Sequence, residues 1–446
     1  MEKEESVIKA IEEIASQLGE ESVLVDDLDR SAYSYDASGM QAVPSAVIRP
    51  STADDVSFVV EVANKFGIPI TPRGSGTSLV GGPLPVSGGF VVDMQKMNGI
   101  IDKDEENGLV RVEAGIKVRE LNEIFSDRFM PINPDGAGFS TVGGLIAEDS
   151  ASPLSIRYGT MSDLLYGVEV VLPNGEIILI ESPGPPSRRS ILNLLVGSEG
   201  TLGIFTSALL KLPRRPENRI AYKIELTDIS DALILQEEIE KSGIGVSAFE
   251  VYHNYKELVE GAGTEAVAFI EISGTQECVE IWDSRLKSIL DNMEFPFESM
   301  TEEKADDVWE GRKNLYEVAK VREEALKVVS LRVYPSLVRD AVQEADRTGS
   351  RLKLPVISVH NPLLGWVIVA FLYNPIDEKE VERAERAVSN VISKSISLGG
   401  SVGYGLGTGI NKITQDMDEG FVSLMSIIKE TLDPSWIMNP GKLIER

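Results

Sequence analysis

Apolar residues Val7, Ile8, Ile11, Ile14, Ala15 and Leu18 recur at helical spacing along residues 4–18, and the pattern stops at Gly19. That period predicts an amphipathic opening helix. A β-α-β unit follows. Residues 46–49 read as a short strand, Ser51 or Thr52 caps a helix whose Val56, Val59, Val60 and Ala63 share a face, Gly67 closes it, and 68–71 form the second strand. Residues 90–94, 99–102 and 109–113 read as strands with turns between them. Helical spacing returns at Val118, Leu121, Ile124 and Phe125, and 168–172 pairs with 176–180 in a hairpin about Asn174-Gly175.

The charged, proline-bearing stretch KLPRRPEN, 211–218, separates this half from one of different texture. Strands are expected at 222–226, 246–252, 266–273, 328–334, 354–360 and 366–373. Helices are expected at 228–241, 277–292, 302–327, 336–348 and 377–396. This is the pattern of an α+β domain with an antiparallel sheet. Glycine returns in GGSVGYGLGTG, 399–409, and the chain closes with a helix and Asn439-Pro440-Gly441-Lys442.

Composition narrows the function classes. A chain of 446 residues exceeds what one core usually supports, and 42% hydrophobic content suffices for two domains. The longest apolar run, WVIVAFLY at 366–373, is far shorter than the roughly 20 residues a membrane helix needs, and the acidic start does not read as a signal peptide. A cytoplasmic protein with no membrane span is expected. A net charge of −28 repels nucleic acid and anionic lipid. The single Cys278 rules out a disulfide or a multi-cysteine metal site within the chain, and only two histidines, His253 and His360, are available to any mechanism.

Residues 71–82, TPRGSGTSLVGG, carry the first chemical signal. A dinucleotide fingerprint needs a helix opening directly after the loop, and none is predicted. A Walker A loop needs Gly-Lys where Gly76-Thr77 stands. What remains is either a glycine-rich surface turn or a nest of N–H groups from Gly74, Ser75, Gly76, Thr77 and Ser78 that can bind a diphosphate without a helix dipole. Three further segments stand out: Pro134-Asp135 with Thr141-Val142-Gly143-Gly144, Arg157-Tyr158-Gly159-Thr160, and GSEGTLG at 197–203.

Taken in order, PRGSGTSLVGG, PD with TVGG, RYGT, GSEGTLGI and DPSWIMNPGK resemble the motifs of the FAD-linked oxidases of the vanillyl-alcohol-oxidase/PCMH fold. The branch most resembled holds the D-lactate dehydrogenases and the glycolate oxidase catalytic subunit. The likeness of the flavin domain covers about 40–215 and 430–446. It implies an α+β protein with a PCMH-type two-subdomain FAD-binding domain at 1–215. An α+β, ferredoxin-like, antiparallel-sheet cap would occupy 216–398, and 399–446 would return to the FAD domain. It also implies that Pro72, Arg73 and Gly74 to Ser78 cradle the FAD pyrophosphate. Pro134, Asp135, Thr141, Gly143, Gly144 and Tyr158 would line the extended cofactor, Glu199, Gly200 and Ile204 would lie along it, and Asn439 and Lys442 would close over it. No His or Cys lies in 71–82 or 399–409, so FAD is expected to be non-covalent.

The chain departs from that branch where chemistry is concerned. Its H-x-G-D-G-N-x-H motif is here HNPLLGWV, 360–367, with only His360 retained, and G-E-H-G is Tyr404-Gly405-Leu406-Gly407. The metal-binding and proton-accepting side chains are missing, so no metal is expected. Arg312, in Trp309-Glu310-Gly311-Arg312, matches the family's tryptophan-to-arginine spacing and could clamp a carboxylate; Arg332 is a second candidate, one position out of register. Tyr404 and His360 are the candidate proton acceptors, Tyr404 only if a cation such as Lys412 lowers its pKa. The resemblance implies oxidation of a small 2-hydroxy acid of the D-lactate or glycolate kind, or a related anionic alcohol, by hydride transfer to flavin N5. Electrons would pass to a separate acceptor, whether quinone, cytochrome, flavoprotein or iron–sulfur subunit, and the chain would act as a homodimer or in a hetero-complex. The alternative is a non-catalytic flavin-binding subunit of a glycolate-oxidase-like complex. A third reading is redox-neutral flavin chemistry of the alkyldihydroxyacetonephosphate-synthase kind.

Overall fold

The computed structural model describes residues 2–134, 138–181, 191–258, 264–301, 305, 309, 325–411, 413–414 and 417–445. Its first sheet has four strands in the order Val23–Leu24, Ala46–Ile48, Phe90–Asp93, Ile70–Arg73. The last three run parallel, because the helix Ala53–Phe66 carries the chain back over one face between Ala46–Ile48 and Ile70–Arg73. That helix starts on a capping box between Thr52 and Asp55 and ends on Gly67 at φ 64°, the two local signals its sequence carries. The opening helix, Glu2–Leu18, lies against it, burying Ala10 and Ile14 in the same core.

A second, antiparallel sheet of five strands follows, ordered Ile100–Asp104, Leu109–Glu113, Ile204–Lys211, Leu165–Val171, Ile177–Glu181. The segment Thr141-Val142-Gly143-Gly144 opens a short helix, Val142–Glu148, that buries Val142, Leu145 and Ile146 against this sheet. Its glycines hid it from the periodicity. The helix expected from Val118 is a single turn, Val118–Leu121.

The third sheet is wholly antiparallel, in the order Phe297–Thr301, Asn218–Leu226, Ala266–Gly274, Val246–His253, Val356–Asn361, Trp366–Tyr373, Ala325–Arg332, Ser401–Val402. Helices Ile229–Ser242, Gln276–Asn292, Val338–Leu352 and Glu378–Ser397 cover one face. The other face packs Tyr252, Phe269, Trp366 and Ile368 against Val80 and Ala151 of the N-terminal half. With protein on both sides, every residue of Trp366–Tyr373 is buried, which is why it reads as an unbroken apolar run. Most of the helix expected at 302–327 lies outside the described residues, and the chain is already a strand from Ala325. The strand Phe297–Thr301 has no clear alternation and was not legible. After adding Ser401–Val402 to the sheet edge, the chain returns to the first sheet, where Met438 bridges Ile70 in parallel. No helix among the described residues is long and apolar enough to cross a membrane.

Candidate functional site

Between the two N-terminal sheets lies a cleft of about 830 Å³, part of it open to solvent. Its walls include the Pro72–Ser78 loop with Gly82 and Pro83, the helix Val142–Glu148 along its length with Ser140 and Thr141, Glu199, Gly200 and Gly203 to Phe205, and Asn439. The loop sits at the carboxyl end of the parallel strand Ile70–Arg73, where an open sheet presents a crevice.

Its sequence is dictated by crowding. Gly76 has φ 74°, and a Cβ there would fall well inside 3.0 Å of the Arg73 guanidinium folded beneath the loop. Arg73 donates from Nη2 to Tyr35 O at 2.8 Å, lies over the Tyr33 ring, and leaves Nη1 without a partner. Among the described residues the backbone N–H groups of Ser75, Gly76, Thr77 and Ser78 reach no carbonyl, and the buried Ser75 Oγ has no partner. Across the cleft Asn439, itself left-handed at φ 41°, donates from Nδ2 to Glu199 O at 2.7 Å and Gly82 O at 3.2 Å, leaving Oδ1 unpaired. Buried polar atoms are normally paired, so this concentration of unpaired groups around one void marks a place for a polar ligand.

Charges gather beneath the cleft. Glu199 accepts from Thr408 N at 2.6 Å and Thr408 Oγ1 at 2.9 Å on one oxygen and from Gly409 N at 2.7 Å on the other. Burial raises its pKa, while those three donors and the Lys442 ammonium pull it back. Lys442 is buried, donates to Leu84 O at 2.8 Å, and is pushed down to about 8 by desolvation against the pull of Glu199 and Asp36. Burial lifts Asp36 to about 6 despite two hydrogen bonds from Ser38 and the charge of Arg73. Glu148 keeps part of its surface on the cleft, but protein crowds its carboxyl. Desolvation and the neighbouring Glu199 push it up to about 8, against hydrogen bonds from Ser78 and Ser150.

Of the residues singled out from sequence, Pro72, Arg73, Gly74, Ser75, Gly76, Thr77, Ser78, Thr141, Gly143, Gly144, Glu199, Gly200, Ile204 and Asn439 line the cleft. Lys442 stands behind Glu199 rather than on the cleft wall. Tyr158 is away from it, edge-on to Phe129 at 5.4 Å, while its neighbour Arg157 crosses to Ser247 and Ser273 of the large sheet. Pro134 is not among the lining residues, and Asp135, Arg312 and Lys412 lie outside the described residues. Gly82, at the end of the glycine-rich stretch, lines the cleft as well, and Glu148, Ser140, Met94, Ala114 and Phe205 also line it and carried no sequence signal.

The two candidate proton acceptors are placed unfavourably. His360 pairs in register with Val251 and Val367, both on the helix-covered face, so its ring points away from the N-terminal half. Buried there, its pKa is pushed down to about 3. Tyr404 lies in the segment that meets the N-terminal half, against Trp366 at 5.8 Å. The cation over its ring is Arg332, at 4.5 Å, yet burial outweighs that charge and raises the phenol's pKa. A neutral phenol can donate a hydrogen bond but is a poor base. Trp309, three positions before Arg312, donates to Glu271 Oε2 at 2.9 Å on the sheet face toward the N-terminal half.

A "FAD binding domain" family model matches residues 44–181, and "FAD linked oxidases, C-terminal domain" matches 215–443. Among curated relatives, glycolate oxidase subunit GlcD of Bacillus subtilis (strain 168) is 28% identical, covering 98% of this chain and 96% of its own length. D-lactate dehydrogenase [cytochrome], mitochondrial, of Arabidopsis thaliana is 31% identical over 90% of this chain and 74% of its own. Among solved structures, p-cresol methylhydroxylase with substrate bound superposes with a TM-score of 0.80 at 17% identity, over 98% of this chain and 96% of that one. An alkyldihydroxyacetonephosphate synthase does so with a TM-score of 0.74 at 20% identity, over 98% and 86%. These two share its fold.

Proposed function

Since this chain belongs to the FAD-linked oxidases, whose cofactor is FAD, we propose that it oxidises a small 2-hydroxy acid or related anionic alcohol and hands the electrons to a separate acceptor. The observation that carries this reading is the docking of residues 403–409, from the cap side, against the cleft. Ala151 N donates to Gly405 O at 3.1 Å, and Thr408 and Gly409 donate to Glu199. A cofactor in the cleft is thereby covered by the large-sheet domain, with the alcohol entering between the two.

The unpaired groups fit FAD. The N–H groups of Ser75 to Ser78, Ser75 Oγ and Arg73 Nη1 suit a diphosphate, and the unpaired Asn439 Oδ1 suits a hydroxyl or ring N–H. Thr141, Gly143, Gly144, Glu199, Gly200 and Ile204 would flank the rest, with Pro134 and Asp135 assigned by family likeness alone. When bound, FAD supplies the electron acceptor for the alcohol's hydride. The protein's share is to hold the alcohol, exclude water and manage its hydroxyl proton. Attachment is non-covalent in this reading, supported by the position of Cys278 on the outer helix Gln276–Asn292 and of both histidines on strands of the large sheet. Arg312 anchors the substrate carboxylate, with Arg332, which forms no ion pair among the described residues, as the competing anchor.

One observation favours a flavin-holding subunit without its own substrate. Gly405 stands where the family's acid is expected, at φ 74° and with any Cβ 2.6 Å from that of Ala151, so no side chain fits there. The test is anaerobic mixing with D-lactate, glycolate and a panel of sugar acids while the flavin band is watched. Bleaching by one of them, slowed in Arg312→Lys, supports the oxidase. A protein that keeps its flavin oxidised with every reductant is the subunit instead.

A further inference from the structure

The pair of acids at the inner wall of the cleft is unequal in a way that assigns a role. A Cβ on Gly407 would meet Glu199 Cδ at 3.1 Å and Glu148 Cγ at 3.3 Å, so the two side chains converge on one point of the backbone. Two of Glu199's three partners are backbone N–H groups, which only donate, and Lys442 faces it, so these neighbours favour its carboxylate form against the burial that raises its pKa. Among the described residues Glu148 has only hydroxyls as partners, Ser78 and Ser150, the latter at 3.4 Å, and these accept as readily as they donate. Among the described residues the charged groups facing it are Glu199 and Asp36, both acidic; Arg73 attracts Asp36, and Lys442 attracts Asp36 and Glu199. On its own helix end, Asp149 is turned to Ser162. Two adjacent acids whose surroundings favour opposite protonation states are how a protein keeps one carboxyl neutral at working pH.

We propose that Glu148 is a cofactor-binding residue that stays a neutral carboxylic acid, turns its O–H to the FAD bound in the cleft, and loses that grip when it ionises. This rests on the reading that FAD occupies the cleft. A neutral acid adds a donor to a wall that otherwise ends in carboxylate. Ionised, it would place a second negative charge beside Glu199 in a site that must also take a diphosphate. The raised pKa of about 8 puts that change just above neutrality.

The experiment is FAD affinity of the full chain, by quenching of flavin fluorescence, from about pH 6 to about 9.5, for the parent, Glu148→Gln and Glu148→Ala. The parent should weaken by up to about tenfold per unit above pH 8. Glu148→Gln, which keeps a donor but cannot ionise, should bind with the same affinity across the range, and Glu148→Ala should bind weakly throughout. If Glu148→Gln keeps the parent's pH dependence, Lys442 is the titrating group and the inference is overturned. The infrared band of a protonated carboxyl in the parent holoprotein at pH 7, lost above pH 9, is the check that needs no variant, and its absence is equally fatal. Failure of the parent to bind FAD at any pH would sink the cofactor reading. Tight binding independent of pH would sink only the role of Glu148.

Discussion

Gly409→Ala tests how tightly the cap segment is locked onto the cleft. Gly409 is left-handed at φ 55°, and a Cβ there would fall well inside 3.0 Å of the backbone oxygen of Val80. That oxygen already accepts from Ile410 N at 3.0 Å, and Gly409 N itself donates to Glu199 at 2.7 Å. Backbone cannot swing aside as a side chain can, so the segment must move and both bonds are disturbed. The conformation costs an alanine about 1–2 kcal/mol, the neutral hydrogen bond is worth about 1, and the charge-assisted one about 1.5–3, for a total of about 3–6 kcal/mol. Gly243→Ala is the control, because Gly243 is also left-handed, at φ 67°, but has nothing within 4 Å of a Cβ. It should cost only the same about 1–2 kcal/mol of conformation. In thermal unfolding followed by circular dichroism, Gly409→Ala should lower Tm by about 3–6 °C and Gly243→Ala by about 1–2 °C. Equal shifts for the two variants would refute the close approach at Val80.

Lys442→Met should destabilise by about 3–5 kcal/mol in urea unfolding, because it leaves the buried Glu199 and Asp36 without their shared cation; an unchanged midpoint would show that water reaches these acids. Asp36 and Glu148, raised to about 6 and about 8, hold protons in the folded chain that the unfolded chain releases at lower pH. Their contribution to stability is therefore greatest below their unfolded values and falls as pH rises to about 8. The advantage of Glu148→Gln over the parent should grow between about pH 6 and 8, and a pH-independent difference in unfolding midpoint argues against a neutral Glu148. Acid precipitation should release all flavin into the supernatant; colour retained in the pellet would mean a covalent link.

The loop Gly74 to Ser78 was legible because its constraint is local. Glycine is the residue that survives where a Cβ would strike Arg73 or where φ is positive, so a tight glycine loop is written in the residue types themselves, while they left open whether it is a surface turn or a nest for a ligand. The same holds for the capped helix Ala53–Phe66 and for the run Trp366–Tyr373, whose burial on both faces follows from its apolar length. The side on which His360 stands was not legible. A motif position says that a histidine is near, whereas strand register decides whether its ring meets the cofactor half or the helices, and a shift of one residue reverses the answer.

By itself, then, the sequence determined the family and the cofactor, through motifs that are each short and local in the chain. Only the tertiary structure decided which charges share a space. Glu148 is one of 71 acidic residues and has no motif around it. It becomes distinctive because Gly407, in the segment that leaves the edge strand Ser401–Val402 of the large sheet, lies against both it and Glu199 while Thr408, Gly409 and Lys442 serve Glu199. Protonation is set by desolvation and by charges a few ångströms away, and those neighbours come from parts of the chain that sequence order keeps far apart.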